Sequence, residues 1–182
     1  MTCIVGLEHG GRVYLGGDSA CTDPNGYVAP LVEAKVFRFG PLLIGFCGTL
    51  RFGQLVKHTL LLPQQENKSD IEYMVTDVAT AVGVCLQAAD NLSHEDDGKA
   101  TTGGCLLIGY HGKLYEMDQG LGVQATSRPY NAIGSGAYIA LGALHALLRH
   151  AEMAPRSCVL AALKAAADHH GGVRAPFTIL MG

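Results

Sequence analysis

Thr2 stands directly behind the initiator Met1, so removal of Met1 leaves a residue with both a hydroxyl and a free α-amine. A threonine hydroxyl is a weak nucleophile until a base takes its proton. An α-amine has an ordinary pKa of about 7.7–8.0, so near neutral pH a useful fraction is a free base, held beside the hydroxyl by covalent bonds. Two charged residues sit at strand boundaries where the chain would return beside Thr2: Asp18, closing Gly16-Gly17-Asp18, and Lys35, in Ala34-Lys35-Val36. A lysine near the hydroxyl favours its alkoxide-like form, and an aspartate holds the lysine in place. Gly48 ends an apolar run and starts a helical one, where free N–H groups favour a developing oxyanion. Together these groups would cleave an amide through an ester on Thr2. Taken singly each has a plain structural reading: a turn cap, a strand-edge charge, a turn glycine. Their order and placement at element boundaries are what join them.

Several elements must position these residues. Cys3–Glu8 and Arg12–Gly17 read as a β-hairpin turning at His9-Gly10-Gly11. A loop over 19–34 contains the turn signal Asp23-Pro24-Asn25-Gly26. Lys35–Phe39 and Leu42–Cys47 are strands, followed by a helix from Thr49 to Leu62 that stops at Pro63. Ser69 and Glu72 form a capping box, and apolar residues at helical spacing carry a second helix to about Leu92. An acidic loop over 93–99 leads to a hairpin of Cys105–Tyr110 and Lys113–Asp118, then to short strands near Val123 and at Asn131–Ile133. Gly134-Ser135-Gly136 opens a third helix, Pro155 a fourth that reaches His169, and Val173–Met181 closes the chain as a strand. The order is strands, two helices, strands, two helices, strand. It predicts an α+β fold with two face-to-face sheets, each covered by a helix pair, in one domain over 1–182.

Composition narrows the classes. The chain has 182 residues, 48% of them hydrophobic, and a net charge of −3. No basic stripe suggests nucleic acid, and no apolar run reaches the ~18 residues of a spanning helix. The N-terminus lacks the charged-then-apolar pattern of a secretory signal. Six scattered cysteines form no CxxC pair, which argues against zinc and for a reducing, cytoplasmic setting. His145 and His150 diverge on a helix and make a poor metal pair, while His94-Glu95-Asp96-Asp97 reads as a solvated acidic loop. Neither a metal nor a cofactor is expected.

The chain resembles, over essentially its whole length, the proteasome β-subunit superfamily of N-terminal nucleophile hydrolases. Within it the likeness is to HslV-type peptidases and smaller bacterial and phage relatives. The matching pieces are Thr2 behind Met1, Gly16-Gly17-Asp18, Lys35, Gly45-Phe46-Cys47-Gly48-Thr49 and Ala132-Ile133-Gly134-Ser135-Gly136. The resemblance implies a four-layer αββα sandwich. It makes Thr2 the nucleophile, Asp18 and Lys35 its charge pair and Gly48 N–H the oxyanion donor. Ser135 would stand near the Thr2 amine, and Asp168 would be a second acidic support. Cys21, Phe46 and Thr49 fall on substrate-binding positions, with Phe46 at the primary specificity pocket. The activity implied is a threonine endopeptidase acting on polypeptides. The assembly implied is a homo-oligomeric ring, stacked in some members and often fed by an ATP-driven unfoldase. The chain departs from the HslV pattern in a loop one residue longer before Lys35, in Cys3, and over 169–177. The rival readings are a silent scaffold that keeps Met1 and an amidohydrolase acting on a small amide.

Overall fold

A computed structural model of the chain describes residues 1–23, 25–89, 93–94 and 100–182. The first hairpin joins β1 (Ile4–His9) to β2 (Arg12–Gly17), with Ile4 opposite Gly17. The segment expected as a loop contains a small ladder of its own, β3 (Ala20–Thr22) against β4 (Val28–Pro30). β5 (Val36–Phe39) and β6 (Leu42–Gly48) form the second hairpin. α1 (Leu50–Thr59) begins at Thr49, whose hydroxyl accepts the Phe52 N–H. It ends before the expected Leu62 because Leu60 is already extended, and the residue preceding Pro63 is disfavoured in a helix.

α2 (Asp70–Tyr73), a π-helical turn (Met74–Val78) and α3 (Ala79–Ala88) run on from one another. Ser69 caps them by accepting the Glu72 N–H, as the capping box predicts. The expected helix end at Leu92 and the acidic run Glu95-Asp96-Asp97 lie outside the described residues. β7 (Ser93–His94) pairs with β8 (Ala100–Thr101). β9 (Gly104–Tyr110) and β10 (Lys113–Met117) form a hairpin, followed by β11 (Val123–Ala125) and β12 (Tyr130–Ile133). α4 (Ala137–His150) and α5 (Pro155–His169) come next, and Pro155 occupies the first turn as expected. The closing strand is shorter than expected: only β13 (Thr178–Met181) pairs, since Pro176 has no N–H for a ladder.

Two antiparallel sheets result, ordered β12-β1-β2-β13 and β11-β10-β9-β6-β5. Alternation along the strands divides the core. On β6, Leu42, Ile44 and Phe46 point to α1 and α3, joining Phe52, Val56, Val82 and Leu86. Leu43 on β6 points the other way, to a cluster between the sheets with Ile4, Val13, Leu15 and Leu107. Val5, Leu7, Ala140, Leu144, Val159 and Leu163 fill the space beneath α4 and α5. Burial on both faces explains why β6 reads as a continuous apolar run, and each fully buried leucine contributes about 1.5–3 kcal/mol. Close approach of the sheets requires Gly45, where a Cβ would lie 2.5 Å from Ile4 Cγ2. Ile4 is thereby fixed against β6, and Thr2 with it.

Candidate active site

The β1–β2 register carries Asp18 to the N-terminal end of β1. The Asp18 N–H donates to the Cys3 carbonyl at 3.2 Å, and the Cys3 N–H returns a bond to Asp18 Oδ1 at 2.9 Å. Asp18 Oδ2 accepts the Ala20 N–H at 2.9 Å and the Arg174 N–H at 3.4 Å. Lys35 Nζ donates to Asp18 Oδ1 and to Thr2 Oγ1, each at 2.9 Å, and to the Met1 carbonyl at 3.1 Å. Thr2, Asp18 and Lys35 are only 6%, 2% and 3% exposed. A buried charge is tolerated when it is paired and its remaining sites are filled. Here three acceptors meet the three ammonium protons, and four donors meet the carboxylate.

The other side of Thr2 is held by the turn into α4. Ile4 pairs with Ile133 in the β1–β12 ladder, so Thr2 and Cys3 lie just beyond it, facing Gly134-Ser135-Gly136. The Thr2 N–H donates to Ser135 Oγ at 3.2 Å, and Ser135 Oγ donates to the Thr2 carbonyl at 3.4 Å. The Gly136 N–H reaches the same carbonyl at 3.1 Å. Gly134 has φ +95°, and a Cβ there would lie 2.4 Å from the Thr2 carbonyl oxygen. Thr2 is thus gripped by backbone on one side and by the ion pair on the other. Its hydroxyl donates to the Met1 carbonyl at 2.7 Å, and the Met1 side chain rests over Gly172, where a Cβ would meet it at 2.4 Å. In the neighbouring Cys3, burial, then the Asp18 charge, push the thiol up to about 12 against a smaller lowering by Lys35, which keeps it protonated near neutral pH.

Gly48 lies at the end of β6, beyond the end of β5 at Val36. The Cys47 carbonyl faces β9, since a Cβ on Gly104 would lie 2.4 Å from it. A trans peptide then points the Gly48 N–H the opposite way. On that side the Phe46 N–H already bonds the Lys35 carbonyl at 3.1 Å, and β5 extends no further than Val36. The Gly48 N–H is therefore directed past the end of β5, on the Lys35 side of β6. Gly48 has φ +113°, and a Cβ would lie 2.3 Å from the Gly103 carbonyl oxygen, so no other residue fits.

The remaining expected residues are less closely gathered. Phe46 is inserted under α1, its ring so near Gly53 that a Cβ there would lie 2.1 Å away. The cavity beside it, lined by Glu33, Ala34, Leu50, Gly53 and Lys57, has a volume of only about 10 Å³. Cys21 is half-buried in β3 opposite Ala29, and the Thr49 hydroxyl is spent on capping α1. The structure does not bring Asp168 into the cluster: it is exposed near the end of α5, and no hydrogen bond joins it to Thr2 or Ser135. Sequence reasoning missed the Met1 carbonyl, the Gly134 and Gly136 backbone, the Arg174 N–H and the Gly172 seat. Among these only the glycines left a trace, in Gly134-Ser135-Gly136 and Gly171-Gly172. Among the described residues no three His, Cys, Asp or Glu side chains gather as a metal site, and His145 Nδ1 pairs with the Tyr130 hydroxyl at 3.1 Å. Among the described residues no helix is long and apolar enough to cross a membrane. A larger, apolar groove of 660 Å³ between α1 and α3 shares no lining residue with the Thr2 cluster.

No family model matches the chain. Its fold is nevertheless shared with solved structures. BPH from Thiobacillus denitrificans superposes with a TM-score of 0.84 at 19% identity, covering 99% of this chain and 97% of that one. A second structure of it, in complex with Epoxomicin, gives 0.81 at 18% identity, with the same coverage. Eukaryotic HslV from Trypanosoma brucei gives 0.70 at 18% identity, covering 98% of each chain. Anbu from Pseudomonas aeruginosa, solved as a helical assembly, gives 0.71 at 16% identity, covering 99% of this chain and 80% of that one. With its α+β content, its antiparallel sheets and these neighbours, the chain has the fold of the proteasome-type N-terminal nucleophile hydrolases.

Proposed function

We propose that the protein is a threonine-type peptidase that cleaves polypeptides through an acyl-enzyme on Thr2 once Met1 is removed. One observation carries this reading: Lys35 Nζ binds Thr2 Oγ1 and Asp18 together, while Ser135 holds the Thr2 nitrogen. The freed α-amine takes the hydroxyl proton as Oγ1 attacks the scissile carbonyl. The lysine charge favours the developing alkoxide, and the Gly48 N–H receives the oxyanion. Collapse breaks the peptide bond, and the proton held by the α-amine goes to the departing amine. Water, deprotonated by the same α-amine, then attacks the ester, releases the acid and restores Thr2. Lys35 and Ser135 are already within hydrogen-bonding reach of Thr2, which is where proximity contributes most.

The wider reading follows the fold. Two sheets with α4 and α5 on one and α1 and α3 on the other are taken as a four-layer αββα sandwich in one domain over 1–182. Homo-oligomeric assembly, with an ATP-driven unfoldase as partner and the cytoplasm as setting, is proposed on the likeness to HslV and to Anbu. The tight space beside Phe46 favours substrates with small side chains before the scissile bond. Incubation with an epoxyketone of the epoxomicin type tests the core claim. The Met1-free protein should gain one adduct on Thr2, and Thr2→Ala should gain none. Retention of Met1 in protein made in its own host, with no adduct, would sink the peptidase reading. The silent-scaffold reading has one observation in its favour: the Met1 carbonyl accepts bonds from both Thr2 and Lys35, and its side chain is seated on Gly172.

A further inference from the structure

We infer that Cys47 and Cys105 form a reversible disulfide beside the Thr2 site, and that its formation switches the site off. The second half of this inference rests on the proposed peptidase function; the first half does not.

The two cysteines are direct partners in the β6–β9 ladder. They belong to the hydrogen-bonded class of antiparallel pair, on two independent signs. The Thr49 N–H bonds the Gly103 carbonyl at 3.0 Å, which sets the alternation two residues on from Cys47. The Phe46 N–H bonds Lys35 on the opposite edge, which turns Cys47 towards β9. Partners of this class have Cα atoms about 5.5 Å apart, within the ~4.4–6.8 Å that a disulfide spans. Both side chains point to the same face of the sheet, against the cluster of Ile4, Leu43 and Leu107. Both are partly exposed, so a small reagent has access. The four other cysteines have no such partner: Cys3, Cys85 and Cys158 are buried apart from one another, and Cys21 lies in β3.

The pair also divides its proton unequally. The adjacent Cys105 thiol holds Cys47 below the usual thiol range, with a smaller lowering from the Lys35 charge, and Cys105 is pushed up by Cys47 and by burial. Cys47 is the thiol of the two favoured to attack first. With a low-molecular-weight disulfide as oxidant, Cys47 Sγ bonds one of its sulfurs and releases one thiol. Cys105, giving up its proton, then attacks Cys47 Sγ and displaces the second thiol. The protein loses two protons and two electrons, and the reagent disulfide takes them up to become two thiols.

The link would be felt at Gly48. Cβ atoms in a disulfide stand about 3.8 Å apart, closer than those of an unlinked ladder pair, so the strand ends must be drawn together. The residue after Cys47 is Gly48, and the residues before Cys105 are Gly103 and Gly104. These are packed so that a Cβ on Gly48 would lie 2.3 Å from the Gly103 carbonyl. No slack exists there to absorb the pull. It would turn the Cys47–Gly48 peptide, whose N–H is the proposed oxyanion donor.

The experiment is titration of the whole protein with oxidised glutathione or diamide, followed by intact mass, peptide mapping under non-reducing conditions and peptide turnover. The expected result is a species lighter by two hydrogens, with a Cys47–Cys105 cross-linked peptide and four remaining free thiols of the six. Turnover should fall on the order of 10²-fold, the loss expected for a displaced oxyanion donor, and dithiothreitol should restore it. Cys105→Ser should keep basal turnover and resist the oxidant. Six free thiols after oxidation, or a disulfide between other cysteines, overturns the inference outright. A Cys47–Cys105 disulfide that leaves turnover intact overturns the switch. If the reduced protein shows no turnover at all, the peptidase reading fails while the mass and mapping results still decide whether the disulfide forms.

Discussion

Asp18→Asn isolates what the buried pair does, because it keeps the shape and removes the charge. The carboxylate receives four donors: Cys3 N–H and Lys35 Nζ on Oδ1, Ala20 N–H and Arg174 N–H on Oδ2. An asparagine has one oxygen, so its NH₂ must face two donors whichever way the amide turns. Lys35, at 3% exposure, is left without a counter-ion. Removing one partner of such a pair costs about 3–5 kcal/mol, which for a chain of this length is a fall in Tm of roughly 6–20 °C. The ammonium also loses the carboxylate that holds it against Thr2 Oγ1, so the hydroxyl loses a fixed charge that would favour its alkoxide form. Both stability and turnover should therefore drop. Lys35→Met alone strands the carboxylate and should cost a similar amount. The double variant Asp18→Asn, Lys35→Met should be more stable than the sum of the singles by about 1–3 kcal/mol, since no lone charge is left buried. Circular dichroism during urea unfolding at fixed protein concentration measures this, the chain having no tryptophan to follow. Additive single effects, or a cost below about 1 kcal/mol for Asp18→Asn, would refute the view that the pair is buried and interdependent.

Two further expectations concern the space beside Phe46 and the thiol beside Thr2. Phe46→Ala empties the space that now leaves only about 10 Å³ beside the ring, so turnover on a fluorogenic peptide panel should shift towards bulky side chains, at a stability cost of about 3–5 kcal/mol; an unchanged order of preference would remove Phe46 from the specificity pocket. Cys3 is raised in the folded state from 9.0 to about 12, so the native chain holds that proton more tightly than the unfolded one. Its contribution to stability is present in full below the unfolded value and is lost as pH climbs from about 9 towards about 12. Cys3→Ala should flatten that decline in urea midpoints; an equally steep decline would mean that Cys3 is not shielded.

The placement of Asp18 and Lys35 was legible because it depends on a hairpin. Once Gly10-Gly11 turns the chain, β1–β2 pairing leaves Asp18 no position other than beside Cys3. Gly48 was legible as a strand-to-helix junction, and Ser135 as a turn before α4. The pairing that brings Ser135 to Thr2 is long-range, Ile4 with Ile133, and no local pattern encodes it. Phe46 was expected at the specificity pocket, and the structure places its ring against a small cavity under α1. Its burial under α1 depends on Gly53, seven residues on, which helical spacing alone marks as an unremarkable interior glycine. The β3–β4 ladder was hidden by the turn residues within it, and the shortened β13 by apolar content that outweighed Pro176. Asp168 is the opposite case: its role came only from the family resemblance, and it lies on a helix whose buried face is carried by Ala162, Leu163 and Ala166, with Asp168 outside that face.

Met1 is what ties these observations to function. In the intact chain its carbonyl is the third acceptor for Lys35 and the acceptor for the Thr2 hydroxyl, so every polar atom of the ion pair is satisfied. Removal of Met1 should leave the Asp18 and Ser135 bonds in place and free one lysine proton, the threonine hydroxyl and a new amine towards the space Met1 occupied. A buried ammonium with an unfilled donor favours any carbonyl or alkoxide oxygen that enters there. The same geometry that makes Met1 a well-bound plug is therefore what makes its absence productive, and the choice between scaffold and enzyme comes down to a single peptide bond.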